Sequence, residues 1–275
     1  MAITWIGQST CVVQMGGKTL LTDPIFQMRT VDYIGPKRLR PPPCTLEALP
    51  PVDLVLVSHN HYDHLDAHVV DAYGDSVTWV VPLGLGPWFR ARGVTNLVEL
   101  DWWASARVAG LQIVATPAQH WSGRHFFDVN ASLWCSFLVR DDQQTGASFF
   151  HCGDSGYCPV FGEVRALFGD VTAAALPIGS YAPRWYMQHQ HMDPREACCV
   201  HRDLGATLSI GVHWGTFLMS DEHFLRPPRE LAEAAAAMNL PSDAVITTPF
   251  GRTVLVTMKQ SSSANAEPQS DTISS

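Results

Sequence analysis

"VSHNHYDHLD", residues 57–66, places His59, His61, Asp63, His64 and Asp66 within eight positions, directly behind the apolar run "DLVLV" at 53–57. The run shows no alternation, which is the pattern of a strand buried on both faces. So many ionisable groups at the mouth of such a strand are costly unless they are paired or hold cations. The stretch therefore predicts a layered α/β fold with a metal site at the carboxyl end of the sheet, where loops converge over a rigid scaffold.

Working outward, "ITWIGQSTCVVQMGGKTLLTDPIF" reads as short strands, with Gly16-Gly17 a hairpin signal. Residues 28–51 are rich in proline and read as irregular. "DAHVVDAYG" and "GPWFRARG" are helix candidates, and "VTWVVP" between them is a strand. The second half repeats this rhythm. "LQIVATP", "LWCSFLV", "ASFFHCGD", "AAALPIG", "LSIGVH" and "TVLVTM" read as strands. "DPREACCVHRDLG" starts as a helix should, with Asp193 as N-cap, Pro194 first and Glu196 as the capping-box partner. "PPRELAEAAAAMN" is an Ala-rich helix. No linker interrupts this pattern, so one domain is expected over 1–258, followed by a disordered polar tail over 259–275.

Apolar residues make up 46% of the 275, enough for a sizeable core, and the formal charge is −8. Lysine occurs only at Lys18, Lys37 and Lys259, and no basic run suits a phosphate backbone, so no nucleic-acid partner is expected. There are seven cysteines, no C-x-x-C pair, no secretory signal pattern and no apolar run of membrane-spanning length. A reducing, cytoplasmic setting with free thiols follows as the expectation. Peripheral contact with the inner membrane face and a homodimer are left open.

Four apolar strands each lead to a residue of ligand type: "DLVLVS" to His59, "LQIVATPAQ" to His120, "ASFFHCG" to Asp154 and "LSIGV" to His213. Adding His61, Asp63 and His64 gives seven ligands, too many for one ion and suited to two. The division expected is His59, His61 and His120 on the first ion, and Asp63, His64 and His213 on the second. Asp154 bridges them, and a shared hydroxide fills the remaining place. Imidazole and carboxylate suit zinc, and Fe or Mn accept the same donors. His68, His125, His151, His201 and His223 are read as ordinary surface or core residues, and Cys152 as a buried, inert thiol. Trp102-Trp103 and the "RWY" at 184–186 read as core aromatics before groove formers.

The motif "SHNHYDHLD" resembles the metal signature of the metallo-β-lactamase superfamily. "LTDPIF", "GPKRLRPPPCT", "VPLGL", "ELDWW", "PAQHWSGR", "GDSGYCPVF", "LPIGSYAPRWYM", "QHMDPREA" and "HWGTF", taken in order, narrow the likeness. They resemble the N-acylphosphatidylethanolamine-hydrolysing phospholipase D family from about Thr4 to about Pro228. The resemblance implies an αββα sandwich with a di-zinc site and the same seven ligands. It also implies that Asp23 holds a ligand imidazole and that His191, protonated, faces the substrate phosphate. The chemistry is thereby assigned to His191, Asp63 and Asp23. The activity implied is hydrolysis of N-acylphosphatidylethanolamine, or a related phospholipid, to a phosphatidic acid and an N-acylethanolamine. The loop "RTVDYIGPKRLRPPP" offers Arg29, Lys37, Arg38 and Arg40 near Tyr33 and Ile34 for contact with lipid headgroups.

Competing expectations are a hydrolase of the same fold acting on a small phosphodiester or lactone, and a non-catalytic, metal-stabilised binding protein. A wide apolar groove beside the metals would mark a lipid enzyme, and a closed polar pocket a small-molecule one.

Overall fold

A computed structural model describes residues 1–31 and 33–257. The expected domain end at 258 and the tail over 259–275 lie outside them. The first half forms β1 (Ala2–Gly7), β2 (Thr10–Met15) and β3 (Lys18–Thr22), a small hairpin of β4 (Arg29–Val31) and β5 (Ile34–Lys37), then β6 (Leu54–Leu56), β7 (Thr78–Pro82) and β8 (Leu97–Leu100). Helices α1 (Ala67–Tyr73) and α2 (Gly86–Arg90) follow β6 and β7. The second half forms β9 (Ser105–Val108), β10 (Leu111–Thr116), β11 (Ser136–Arg140), β12 (Ser148–His151), β13 (Ala173–Pro177), β14 (Leu208–Val212) and β15 (Val245–Ile246). Its helices are α3 (Val160–Phe168), α4 (Arg184–Met187), α5 (Pro194–Asp203) and α6 (Arg226–Ala237), and β16 (Thr253–Leu255) ends the described chain.

Two seven-stranded sheets result, in the orders β16-β1-β2-β3-β6-β7-β8 and β15-β14-β13-β12-β11-β10-β9. Each is antiparallel over one half and parallel over the other. β16 crosses back to the first sheet and pairs with β1, Ala2 opposite Leu255 and Thr4 opposite Thr253.

The alternation within β6 explains its unbroken apolar run. Leu54 and Leu56 face the other sheet, among Trp5, Phe137, Phe149 and Val212. Val55 and Val57 face outward, under Val69 and Val70 of α1 and Phe89 of α2. The second sheet behaves alike: Phe149 points inward, and Phe150 packs outward against Phe161 and Val164 of α3 and Cys198 of α5. With every face covered, both sheets carry apolar residues on both sides. The layers are helices, sheet, sheet, helices, the expected αββα sandwich.

The capping box at α5 is formed, with Glu196 N donating to Asp193 Oδ1 at 2.8 Å and Asp193 N to Glu196 Oε2 at 3.0 Å. Three readings change. Residues 28–51 are not wholly irregular, because β4 and β5 pair within them; strands this short carry too few residues to alternate visibly. The "RWY" aromatics are not core: Trp185 and Tyr186 are 76% and 60% exposed on the single turn of α4. Arg38 is not available to headgroups. It is buried, its guanidinium donates to the carbonyls of Ile25 and Gln27, and it lies over the Phe217 ring.

Candidate metal centre

The ends of the parallel strands carry the site. His59 lies three residues beyond β6, Asp154 three beyond β12, and His213 directly follows β14 in a left-handed conformation, φ 60°. His120 comes four residues after antiparallel β10, and Asp23 follows β3. Beyond His59 the chain turns at once: His64 N and Leu65 N both donate to the His61 carbonyl. Asp66 then caps α1, accepting from His68 N at 2.9 Å, and it also accepts from Phe26 N and Gln27. The last acid of the opening motif is thus a structural cap, and the other four residues of that set are left for the centre.

Three overlapping groups of donor atoms form: a first of His59, His61 and His120, a second of Asp63, His64, Asp154 and His213, and one between them of His120, Asp154 and His191. In the first, His61 Nδ1 lies 2.8 Å from His59 Nε2 and 3.2 Å from His120 Nε2. Ligand atoms around a tetrahedral zinc, with bonds of roughly 2.0 Å, stand about 3.3 Å apart. In the second, His64 Nε2 is 3.3 Å from Asp63 Oδ2 and 3.1 Å from Asp154 Oδ2. His213 Nε2 is 3.3 Å from Asp63 Oδ2 and 3.2 Å from Asp154 Oδ1. Asp154 Oδ2 also lies 3.8 Å from His120 Nε2, which places this carboxylate between the clusters.

Some of these atoms hydrogen-bond one another, but not all are satisfied. His64 Nε2 and Asp154 Oδ1 are buried and make no hydrogen bond. Buried polar atoms are seldom left so, and imidazole and carboxylate atoms that converge on a common point fit a cation. The backs of the rings are fixed. His120 Nδ1–H donates to the Gln190 carbonyl at 2.9 Å, and His64 Nδ1–H to Asp23 Oδ2 at 2.8 Å. Ser58 Oγ donates to Asp23 Oδ2 at 2.7 Å, so its oxygen is free to accept from His59 Nδ1 at 2.9 Å. In each case the Nε2 lone pair is turned inward.

Burial pushes His59 well below its ordinary range, His61 down to about 4 and His120 down to about 3, so the first cluster is neutral and ready to ligate. Burial also pulls His64 and His213 down, but the carboxylates of Asp154 and Asp63 outweigh it, raising His64 and bringing His213 up to about 9. Binding at the second cluster must therefore displace protons.

Asp23 is fully buried and accepts four hydrogen bonds: from Ser58 N (2.6 Å), Ser58 Oγ (2.7 Å), His64 Nδ1 (2.8 Å) and His151 Nε2 (2.8 Å). Burial raises its pKa, yet His151 and His64 overcome this and hold it down to about 2. His151 was expected to be an ordinary histidine; it is instead part of this network. The ring of His191 lies 5.1 Å from that of His120 and its Nδ1 3.9 Å from Asp154 Oδ2. Burial pulls its pKa down to about 3. Sequence reasoning also missed Gln8. Its Nε2 lies 2.7 Å from Asp63 Oδ2 and 2.8 Å from His213 Nε2, and its carbonyl accepts from His213 N. A single glutamine in the β1–β2 turn carries no local signal of this. Cys152 is buried with its thiol pushed up by burial, as an inert thiol should be.

The centre forms the floor of an open cavity of 920 Å³, walled by Trp121, Phe126, Phe127, Val129, Tyr186 and Met219. Among the described residues, no helix is long and apolar enough to cross a membrane.

The family profile described as "Beta-lactamase superfamily domain" matches residues 18–214. The yeast protein named "N-acyl-phosphatidylethanolamine-hydrolyzing phospholipase D, mitochondrial" (Saccharomyces cerevisiae) is 40% identical over 83% of this chain and 50% of its own length. "N-acyl-phosphatidylethanolamine-hydrolyzing phospholipase D 1" of Caenorhabditis elegans is 39% identical over 84% of this chain and 68% of its own. The chain thus spans half the length of the yeast relative. An isothiocyanate hydrolase from Delia radicum gut bacteria superposes with a TM-score of 0.71 at 19% identity, covering 94% of this chain and all of that one, a likeness of fold alone. The four-layer sandwich, the paired donor clusters at its strand ends and these matches agree that the chain belongs to the metallo-β-lactamase superfamily, in the branch of the N-acyl-phosphatidylethanolamine-hydrolyzing phospholipases D.

Proposed function

We propose that this chain is a di-zinc phosphodiesterase that hydrolyses an N-acylphosphatidylethanolamine, or a related phospholipid, to a phosphatidic acid and an N-acylethanolamine. The observation that carries the reading is the joining of two features in one cavity: a floor of converging imidazoles and carboxylates, and walls of Phe126, Phe127, Val129, Tyr186 and Met219. A phosphodiester needs the first, and acyl chains need the second. The open, apolar wall favours this reading over a small-molecule hydrolase, for which a closed polar pocket was the expectation.

His59, His61 and His120 would hold one ion, and Asp63, His64 and His213 the other, with Asp154 between them. When bound, the cations supply hydroxide from water at neutral pH and neutralise phosphate charge. Asp23 keeps His64 in the tautomer that ligates, and through Ser58 it does the same for His59. His191, at the cavity floor, donates a hydrogen bond to a phosphate oxygen as charge builds on it. The apolar walls align the acyl chains and thin out bulk water around the scissile bond.

The test is a screen of zinc-loaded protein against N-acyl phospholipids, other phosphodiesters and lactones, with metal analysis and with His59→Ala and Asp154→Asn as controls. Turnover of N-acyl phospholipid that both variants abolish supports the reading. Turnover of lactones without any phosphodiester overturns it.

A further inference from the structure

The imidazoles of the centre are not all supported alike. His59, His64 and His120 are each held from behind, by Ser58, Asp23 and the Gln190 carbonyl. His213 is not: its Nδ1 is buried and makes no hydrogen bond among the described residues. Its ring shares the second cluster with the Asp63 carboxylate. One side chain reaches both of these ligands. Gln8 Nε2 lies 2.7 Å from Asp63 Oδ2 and 2.8 Å from His213 Nε2, and Gln8 is 2% exposed. Its backbone is tied to the same segment. Gln8 N donates to Thr216 Oγ1 at 2.7 Å, and the Gln8 carbonyl accepts from His213 N at 2.9 Å and from Trp5 Nε1 at 2.8 Å. The residue is held at φ 50°, a left-handed conformation that residues other than glycine adopt at a cost.

An amide nitrogen donates and has no lone pair to give. Between these two atoms it therefore suits a carboxylate and an unprotonated ring nitrogen, which are the forms that ligate. An ion that takes the His213 lone pair leaves this donor to Asp63, whose carboxylate has lone pairs for both. We propose that Gln8 is the positioning residue of the second metal position: its side chain orients Asp63, and its backbone seats His213, as Asp23 orients His64. Gln8 acts through these ligands and supplies none itself. The supports also differ in reach. Asp23 serves His64 of the second cluster and, through Ser58, His59 of the first. Gln8 serves the second cluster alone, so its loss should separate the two ions. The inference rests on the two-ion reading and deepens it.

The test measures stepwise zinc uptake by competition with a chromogenic chelator, on the wild-type chain and on Gln8→Met, which keeps the length of the side chain and removes its N–H groups. Wild type is expected to take up two ions. The variant should hold one of them with wild-type affinity and the other roughly 10- to 100-fold more weakly. With cobalt in place of zinc, the visible absorption of the weakened ion should change and that of the other should not, since the spectrum follows ligand geometry. Gln8→Asn keeps the backbone contacts and draws the N–H back by one methylene, and it should weaken the same ion less. Wild-type affinities at both positions in Gln8→Met, or an equal loss at both, overturn the proposal. Where Gln8→Met does not fold, the same two outcomes in Gln8→Asn overturn it. A wild-type chain that takes up one ion only removes the two-ion reading and this inference with it, a failure visible before any variant is compared.

Discussion

Replacing Asp23 by asparagine separates the metal centre from its support. The carboxylate accepts four hydrogen bonds, two of them from the imidazoles of His64 and His151. An asparagine offers one oxygen, and its amide nitrogen faces donors it cannot satisfy. Breaking one side of a buried charged network costs about 3–5 kcal/mol. The pKa gives a separate, smaller measure: a carboxylate held near 2 against an ordinary 3.8 contributes about 2 kcal/mol. Because the folded value is the lower one, that contribution is complete above pH 3.8 and disappears as the pH falls through 2. We therefore expect Asp23→Asn to lose roughly 2–5 kcal/mol in urea unfolding of the metal-free protein at pH 7. The gap between variant and wild type should narrow toward pH 3. Zinc affinity, read by competition with a chromogenic chelator, should fall by roughly 10- to 100-fold, as when the support of a ligand histidine is removed. A variant within 1 kcal/mol of wild type at pH 7 (about the size of one ordinary hydrogen bond), with unchanged zinc affinity, would refute the reasoning.

His191→Gln should lower kcat on a phosphodiester by roughly a hundredfold while both ions remain, checked by steady-state kinetics with metal analysis; loss of one ion would instead make His191 a ligand. Gly153→Ala should fold poorly and bind zinc weakly, because φ is 61° and the added Cβ would stand 2.5 Å from that of Ser58, which holds both Asp23 and His59. A loss of about 1–3 kcal/mol in urea unfolding is expected. Arg38→Gln removes the donor to the Ile25 and Gln27 carbonyls and should cost about 1–3 kcal/mol in the same assay.

The parts of the site visible in the sequence were those announced by position along a strand. "DLVLV" had to be buried on both faces, so the polar cluster behind it had to lie at a sheet edge, and His120, Asp154 and His213 followed strands of the same kind. Residues that act through contacts across the fold left no such trace. Gln8 meets His213 across 205 positions, and His151 meets Asp23 across 128. Each is a single polar residue within or beside an apolar stretch, indistinguishable in sequence from a satisfied core side chain. Charge misled at Arg38, where an apparently solvated basic loop turned out to hide one guanidinium as a tie between chain segments. Aromatic content misled at Trp185 and Tyr186, since hydrophobicity predicts burial only where a neighbouring element covers the residue.

The pairing of β16 with β1 has a consequence for how the chain matures. β1 is made some 250 residues before β16, and until then this edge lacks the neighbour it has in the fold. An unpaired edge is a template for the wrong strand. The first sheet thus stays open to mispairing along this edge until β16 has been made.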